Sequence, residues 1–261
     1  MVVASLTIGG VVGILLSGGF IWWEVGRYAA PQVPVTVFDE RKLLAAYTVG
    51  LFVGVPIAAA YVLLVASLSN GALVGGALFL VAVVVGTEVA QRLVERSAYW
   101  GASAAVPFYS VSLRAGMGGI LAIAAVAAYL GGALTPTAVG VGTALLTAMA
   151  LLALEVAGGL LSHRPRDRPS PRVGGPLAGA LFGAIAFFLL GIGPTAGPTG
   201  AVAAPVVVLF GATLTFRGGR RTLAEVPPPT GPPPLPSGAA PRPYGRTGAL
   251  PSTEPGPPAR P

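Results

Sequence analysis

Three ionisable side chains, Glu88, Arg114 and Glu155, fall inside or beside long apolar runs of this 261-residue chain. A charge at membrane depth is costly to bury, so each is a functional candidate by default. Counted from residue 135, the tip of a chain reversal, Arg114 lies 21 residues before and Glu155 20 residues after. At ~1.5 Å per helical residue the two reach nearly the same level on adjacent antiparallel helices, and they are predicted to pair. Glu88 precedes Arg92 by four residues, which puts both on one helical face. Matched by depth, its neighbours on the preceding helix are Tyr47 and Thr48.

Two chemistries follow from these three residues. One is structural: a buried ion pair that fixes how two helices pack. The other is a proton- or cation-coupled site in which Glu155 is the titrating group.

A second candidate is the stretch HRPRDRPSPR at 163–172, which holds four arginines, three prolines and the sole histidine. Arg164, Arg166, Arg168 and Arg172, with Arg217, Arg220 and Arg221 further on, are suited to anionic lipid headgroups, at about 1 kcal/mol for each basic residue near the surface. His163 reads as a cap on a helix C-terminus, where a cation or donor is favoured. The prolines interrupt any helix there.

Other chemistry is poorly provided for. The absence of cysteine excludes disulfides, thiolate metal sites, iron–sulfur clusters and covalent haem attachment, and one histidine excludes an HExxH zinc site. The only aspartates, Asp39 and Asp167, lie between apolar runs, so no intramembrane aspartyl dyad can form. No GxSxG or phosphate-binding loop is present. The single lysine, Lys42, stands at the mouth of a span, where a retinal Schiff base would be wet. No catalytic constellation and no cofactor are expected.

The elements that must position these residues are membrane spans. Hydrophobic residues make up 54% of the chain and mean hydropathy is +0.78, above the range of ordinary soluble domains. About 20 helical residues cross a bilayer core. Residues 1–23 are uncharged and make one span, whereas 43–87, 115–154 and 173–216 are uncharged for 40 to 45 residues each and make two apiece. Turn signals divide the double runs at SLSNG (67–71), GGALTPT (131–137) and GIGPTAGPTG (191–200).

The expected fold is therefore all-α and polytopic: seven transmembrane helices, one plus three hairpins, at approximately 5–23, 43–66, 70–90, 113–133, 136–161, 175–193 and 199–216. Residues 97–113 read as a loop lying at the membrane surface, given Trp100, Pro107, Phe108 and Tyr109. Thr36 or Asp39 is placed to cap the second helix.

All sixteen Lys and Arg fall in 24–42, 92–114, 164–172 and 217–260, on one face of that topology. Basic loops stay in the cytoplasm, so the N-terminus is placed outside and the C-terminus inside, with the first span an uncleaved anchor. This arrangement also accounts for the +7 charge without nucleic acid. The Arg-rich, Lys-poor composition points to the cell membrane of a prokaryote.

Glycines four residues apart (Gly9 and Gly13, Gly50 and Gly54, Gly71 and Gly75, then Gly175, Gly179 and Gly183) allow close helix approach. An echo of AAYVLL with TEVA at 59–90 in AAYLGG with LEVA at 127–157 suggests two hairpins built alike. Residues 217–261 carry 14 of the 26 prolines and read as a disordered tail able to dock a protein partner.

The reading drawn from these residues is a non-enzymatic membrane scaffold or subunit of a membrane complex. A small-solute or ion transporter with its site near Arg114 and Glu155 is the alternative.

Overall fold

The computed structural model describes residues 2–24, 39–100, 105–130, 140–162 and 174–224. Its elements are α1 (Val2–Glu24), α2 (Glu40–Ser69), α3 (Leu73–Arg96), α4 (Val106–Leu130), α5 (Val141–Ser162), α6 (Gly174–Ile192), a 3-10 turn (Gly193–Ala196) and α7 (Gly197–Ala224). No strand occurs among the described residues. Six stretches are long and apolar enough to cross a membrane: Ala4–Trp23, Glu40–Ser69, Leu73–Arg96, Val106–Leu130, Val141–Ser162 and Gly175–Gly218, the last interrupted by the 3-10 turn. The protein is a multi-pass helical membrane protein.

The helix ends have local causes. Asp39 caps α2 by accepting from the Arg41 backbone N–H at 2.9 Å, the role expected of it, while Thr36 lies outside the described residues. At the SLSNG reversal Asn70 donates to the Ala66 carbonyl, and Gly71 takes φ +71°, a left-handed conformation that glycine adopts without strain. Gly71 is thus a turn residue and not part of a packing pair. Between α6 and α7, Pro194 opens the 3-10 turn and Gly197 takes φ +77°. The turns expected at 131–137 and the arginine loop at 163–172 lie outside the described residues.

Helix α4 is the centre of the bundle. Every residue from Ala105 to Gly119 is buried, with α1, α2 and α5 packed along it. In turn α3 lies on α2, while α6 and α7 lie on α5 and on each other. The periphery is apolar: Leu73, Val74, Leu78, Val81, Val85, Val89 and Leu93 form an exposed face on α3. Charge inside and hydrocarbon outside invert the soluble pattern and match a lipid surround.

Glycine sets the distance between α4 and its neighbours, because lipid supplies no hydrophobic force to press helices together. A Cβ on Gly50 would stand 2.1 Å from the Leu113 carbonyl oxygen, and one on Gly116 would stand 2.3 Å from that of Tyr47. On the other flank, a Cβ on Gly13 would meet the Gly119 carbonyl oxygen at 2.5 Å. Beside this second contact the Ser17 and Tyr47 hydroxyls are 2.8 Å apart and tie α1 to α2.

Three helix ends lie six or more residues from those expected, and each expected end falls beside a charge. The fourth helix begins at Val106 and not at 113, so the second half of the supposed surface loop is buried helix: Phe108, Tyr109, Val111 and Leu113 are fully covered. The loop assignment treated Arg114 as the edge of an apolar run, but its charge is met inside the protein. The third helix continues past residue 90 to Arg96 because Arg92 and Glu95 pair one turn apart. The last helix runs through Arg217 to Ala224, so the first eight residues of the expected tail are helical, and the rest lie outside the described residues.

Candidate functional site: a buried ion network

A polar stripe on α3 begins the site. Glu88, Gln91, Arg92 and Glu95 fall at spacings of three, four and seven, one face of an otherwise apolar helix. That face meets Arg114 from α4 and Glu155, Gly159 and Ser162 from α5. Arg114 stands eight residues into α4, about 12 Å from the helix start. Burial of the preceding turns leaves its side chain only 4% exposed.

Each nitrogen of that guanidinium is engaged. Nη1 donates to Glu155 Oε2 at 2.9 Å, Nη2 to Glu88 Oε1 at 2.5 Å, and Nε to Gln91 Oε1 at 2.9 Å. The planar fork can bind two carboxylates in fixed directions, which a lysine ammonium could not reproduce. Gln91 is completed by donating to Glu95 Oε1 at 2.8 Å and to the Gly159 carbonyl at 3.1 Å. Ser162 donates its hydroxyl to Glu88 Oε1 at 2.7 Å, and its carbonyl accepts from Arg92 Nη2 at 2.7 Å. Arg92 Nη1 also pairs with Glu95 Oε2, completing a chain of contacts from Glu155 outward.

Exposure rises along that chain. The side chains of Glu155 and Arg114 are 1% and 4% exposed, Glu88 is 14%, Glu95 12% and Arg92 27%. Two carboxylate oxygens inside it, Glu155 Oε1 and Glu88 Oε2, are buried without a hydrogen-bond partner. In a low-dielectric interior such oxygens are expensive to leave bare.

Glycines also admit the sixth helix to the site. A Cβ on Gly179 would fall 1.9 Å from Ser162 Oγ and 3.1 Å from Glu88 Oε1, so α6 crosses directly over this pair. Beneath, a Cβ on Gly159 would stand 3.0 Å from Arg114 Cγ. The room for the arginine stem is made by the absence of a side chain on α5.

Arg114 and Glu155 therefore meet, and Glu88 joins them on the other arm of the fork. The expected neighbours of Glu88 are elsewhere: the Tyr47 hydroxyl bonds Ser17, Thr48 donates to the Leu44 carbonyl, and Arg92 pairs with Glu95. Depth alone identified Tyr47 and Thr48, because matching levels along a hairpin does not reveal which helix lies alongside. Gln91, Glu95 and Ser162 were not anticipated. The first two were visible as the i, i+3, i+7 stripe from Glu88, whereas Ser162 carries no sequence signal.

Of the basic residues assigned to lipid headgroups, Arg164, Arg166, Arg168 and Arg172 lie outside the described residues. Arg217 is exposed on α7, and Arg220 and Arg221 follow on its last turns. Nearby, an apolar crevice of about 290 Å³ runs between α1 and α7 over α5. Phe20, Trp23 and Phe216 gather at it with ring centroids 5.9 to 6.1 Å apart, and Glu155 is not among the residues that line it. Among the described residues no group of three His, Cys, Asp or Glu is arranged to hold a metal ion. Compared with known protein families, curated proteins and solved structures, the chain finds no match.

Proposed function

We propose that this chain is a non-enzymatic membrane scaffold or a subunit of a membrane complex: a bundle whose ion network locks α3, α4, α5 and α6 in one arrangement. The observation that carries this reading is the consumption of all three Arg114 nitrogens by protein acceptors. A guanidinium so engaged acts as a fixed joint.

The full arrangement proposed is seven spans in the cell membrane of a prokaryote, with the N-terminus outside and the C-terminus in the cytoplasm. The 44-residue stretch Gly175–Gly218 supplies two of the spans, since it exceeds twice the ~20 residues a crossing needs and α6 and α7 pack on each other across the 3-10 turn. Arg217, Arg220 and Arg221, with the arginines of 164–172, would then face anionic headgroups. The Pro-rich tail beyond Ala224 would offer a docking segment to a protein partner. Cysteines at Ser69 and Ala196 are expected to react with an impermeant maleimide from outside, and one at Ser170 only after permeabilisation; the opposite labelling pattern would reverse the orientation.

The transporter reading retains one observation in its favour, the unpartnered oxygens of Glu155 and Glu88. The two readings separate in reconstituted vesicles together with affinity purification. As a scaffold, the full chain passes no current under a proton or cation gradient, and it retains a membrane or cytoplasmic partner that a chain ending at Ala224 loses. Current abolished by Glu155→Gln would replace this reading with transport.

A further inference from the structure

The network does not balance as a set of ordinary charges. Among the described residues three carboxylates, Glu88, Glu95 and Glu155, face two guanidiniums, Arg92 and Arg114. Arg92 and Glu95 pair with each other at the more exposed end. In the inner group one Arg114 is shared between Glu88 and Glu155, an excess of one negative charge, and each carboxylate retains one buried oxygen without a partner. Among the described residues no other ionisable group pairs with either carboxylate. Helix α6 has no titratable residue from Gly174 to Ile192; on α2 the Tyr47 hydroxyl is bonded to Ser17; on α4 the Tyr109 hydroxyl accepts from the Asp39 backbone N–H.

An isolated negative charge in this interior is disfavoured, and like charges held at one site resist joint ionisation. The two bare oxygens are the atoms at which that charge can be removed. We propose that the Glu88–Arg114–Glu155 cluster is a proton-binding site that holds one proton, shared by its two carboxylates, in the folded protein. Binding takes one proton from water to a carboxylate oxygen, Glu155 Oε1 or Glu88 Oε2, and makes the inner group neutral: one guanidinium, one carboxylate, one carboxylic acid.

The route for that proton is the exposure gradient. Glu88, at 14%, touches both the outer residues through Ser162 and the inner pair through Arg114. Loss of the proton restores the excess charge directly beneath Gly179, where α6 closes over Ser162 and Glu88 with no space for a Cβ. Proton occupancy and the seating of α6 are thereby coupled. This holds whether the bundle serves a partner or conducts a solute.

Infrared spectroscopy of the full chain in lipid nanodiscs at neutral pH tests the proposal. The expected result is a protonated-carboxyl C=O band, sensitive to solvent deuteration, that disappears in Glu155→Gln or Glu88→Gln and persists in Glu40→Gln, whose side chain is exposed at the start of α2. A second measurement needs no variant: unfolding equilibria across neutral pH. The folded chain retaining one proton that the unfolded chain releases requires stability to fall as pH rises, about tenfold in the folding equilibrium constant per pH unit. A wild-type spectrum with no such band, or a band that survives both cluster substitutions, would overturn the proposal. So would stability that follows sodium or potassium concentration and not pH, because the excess charge would then be met by a metal cation.

Discussion

Arg114→Ala is expected to cost about 3–5 kcal/mol of stability, the largest effect of any single substitution in the bundle. Truncation removes three donors at once and leaves Glu88, Glu155 and Gln91 facing one another without a cation. The cost arises less from lost attraction than from the carboxylates abandoned in the interior. Two companion variants separate these contributions. Arg114→Lys keeps the charge but replaces a planar fork with a point donor, so it should fall between wild type and alanine. Arg114→Met combined with Glu88→Gln and Glu155→Gln removes every inner charge and should recover much of the loss, as buried ion groups often yield to neutral replacements. Denaturant unfolding in mixed micelles, followed through Trp22, Trp23 and Trp100, measures all three. An alanine variant within about 1 kcal/mol of wild type would mean that both acids are solvated or protonated without the guanidinium, and the joint would lose its importance.

Gly116→Ala is expected to be nearly as damaging, at about 3 kcal/mol, the upper end of ordinary overpacking. Its added methyl would stand 2.3 Å from the Tyr47 carbonyl oxygen and 2.9 Å from the Leu51 backbone nitrogen. Neither atom belongs to a side chain that could rotate away, so α2 and α4 must separate. Gly50, its counterpart across the same contact, would move apart with it. Gly18→Ala and Gly19→Ala are the matched controls, since nothing lies within 4 Å of a Cβ at either position. They should leave stability unchanged or slightly raised, as alanine is the better helix former. Equal losses at Gly116 and at the controls would show that glycine acts here through chain flexibility and not through close approach.

Much of this architecture was legible as an alternation of uncharged runs and charge clusters. Helices were identified wherever about 20 apolar residues ran together, and the hairpin turns at 67–71 and 191–200 followed from their Asn, Gly and Pro. What the run lengths misplaced were helix ends next to charges. Arg114 was read as the edge of an apolar run, when its guanidinium points into the bundle. The rule that charge marks an end fails where the compensating charge lies on another helix. The Arg114–Glu155 level followed from counting along one hairpin, a local measure. The Glu88–Arg114 contact joins separate hairpins, and linear spacing holds no record of which hairpins are neighbours. Glycine spacing was informative at Gly9, Gly13, Gly50 and Gly54, each of which a close backbone or side chain of α4 now explains. It misled at Gly71, where the same residue serves a turn.

The central position of α4 has a consequence for biosynthesis. Its arginine emerges from the ribosome 26 residues after Glu88 and 41 residues before Glu155. When α4 enters the bilayer, the acid of α3 has preceded it and that of α5 follows behind it in the chain. In chain order Arg114 therefore has one counter-charge ahead of it and the second behind it. The two arms of the fork thus join an earlier helix and a later one, so the central arginine links the chain in both directions along its length.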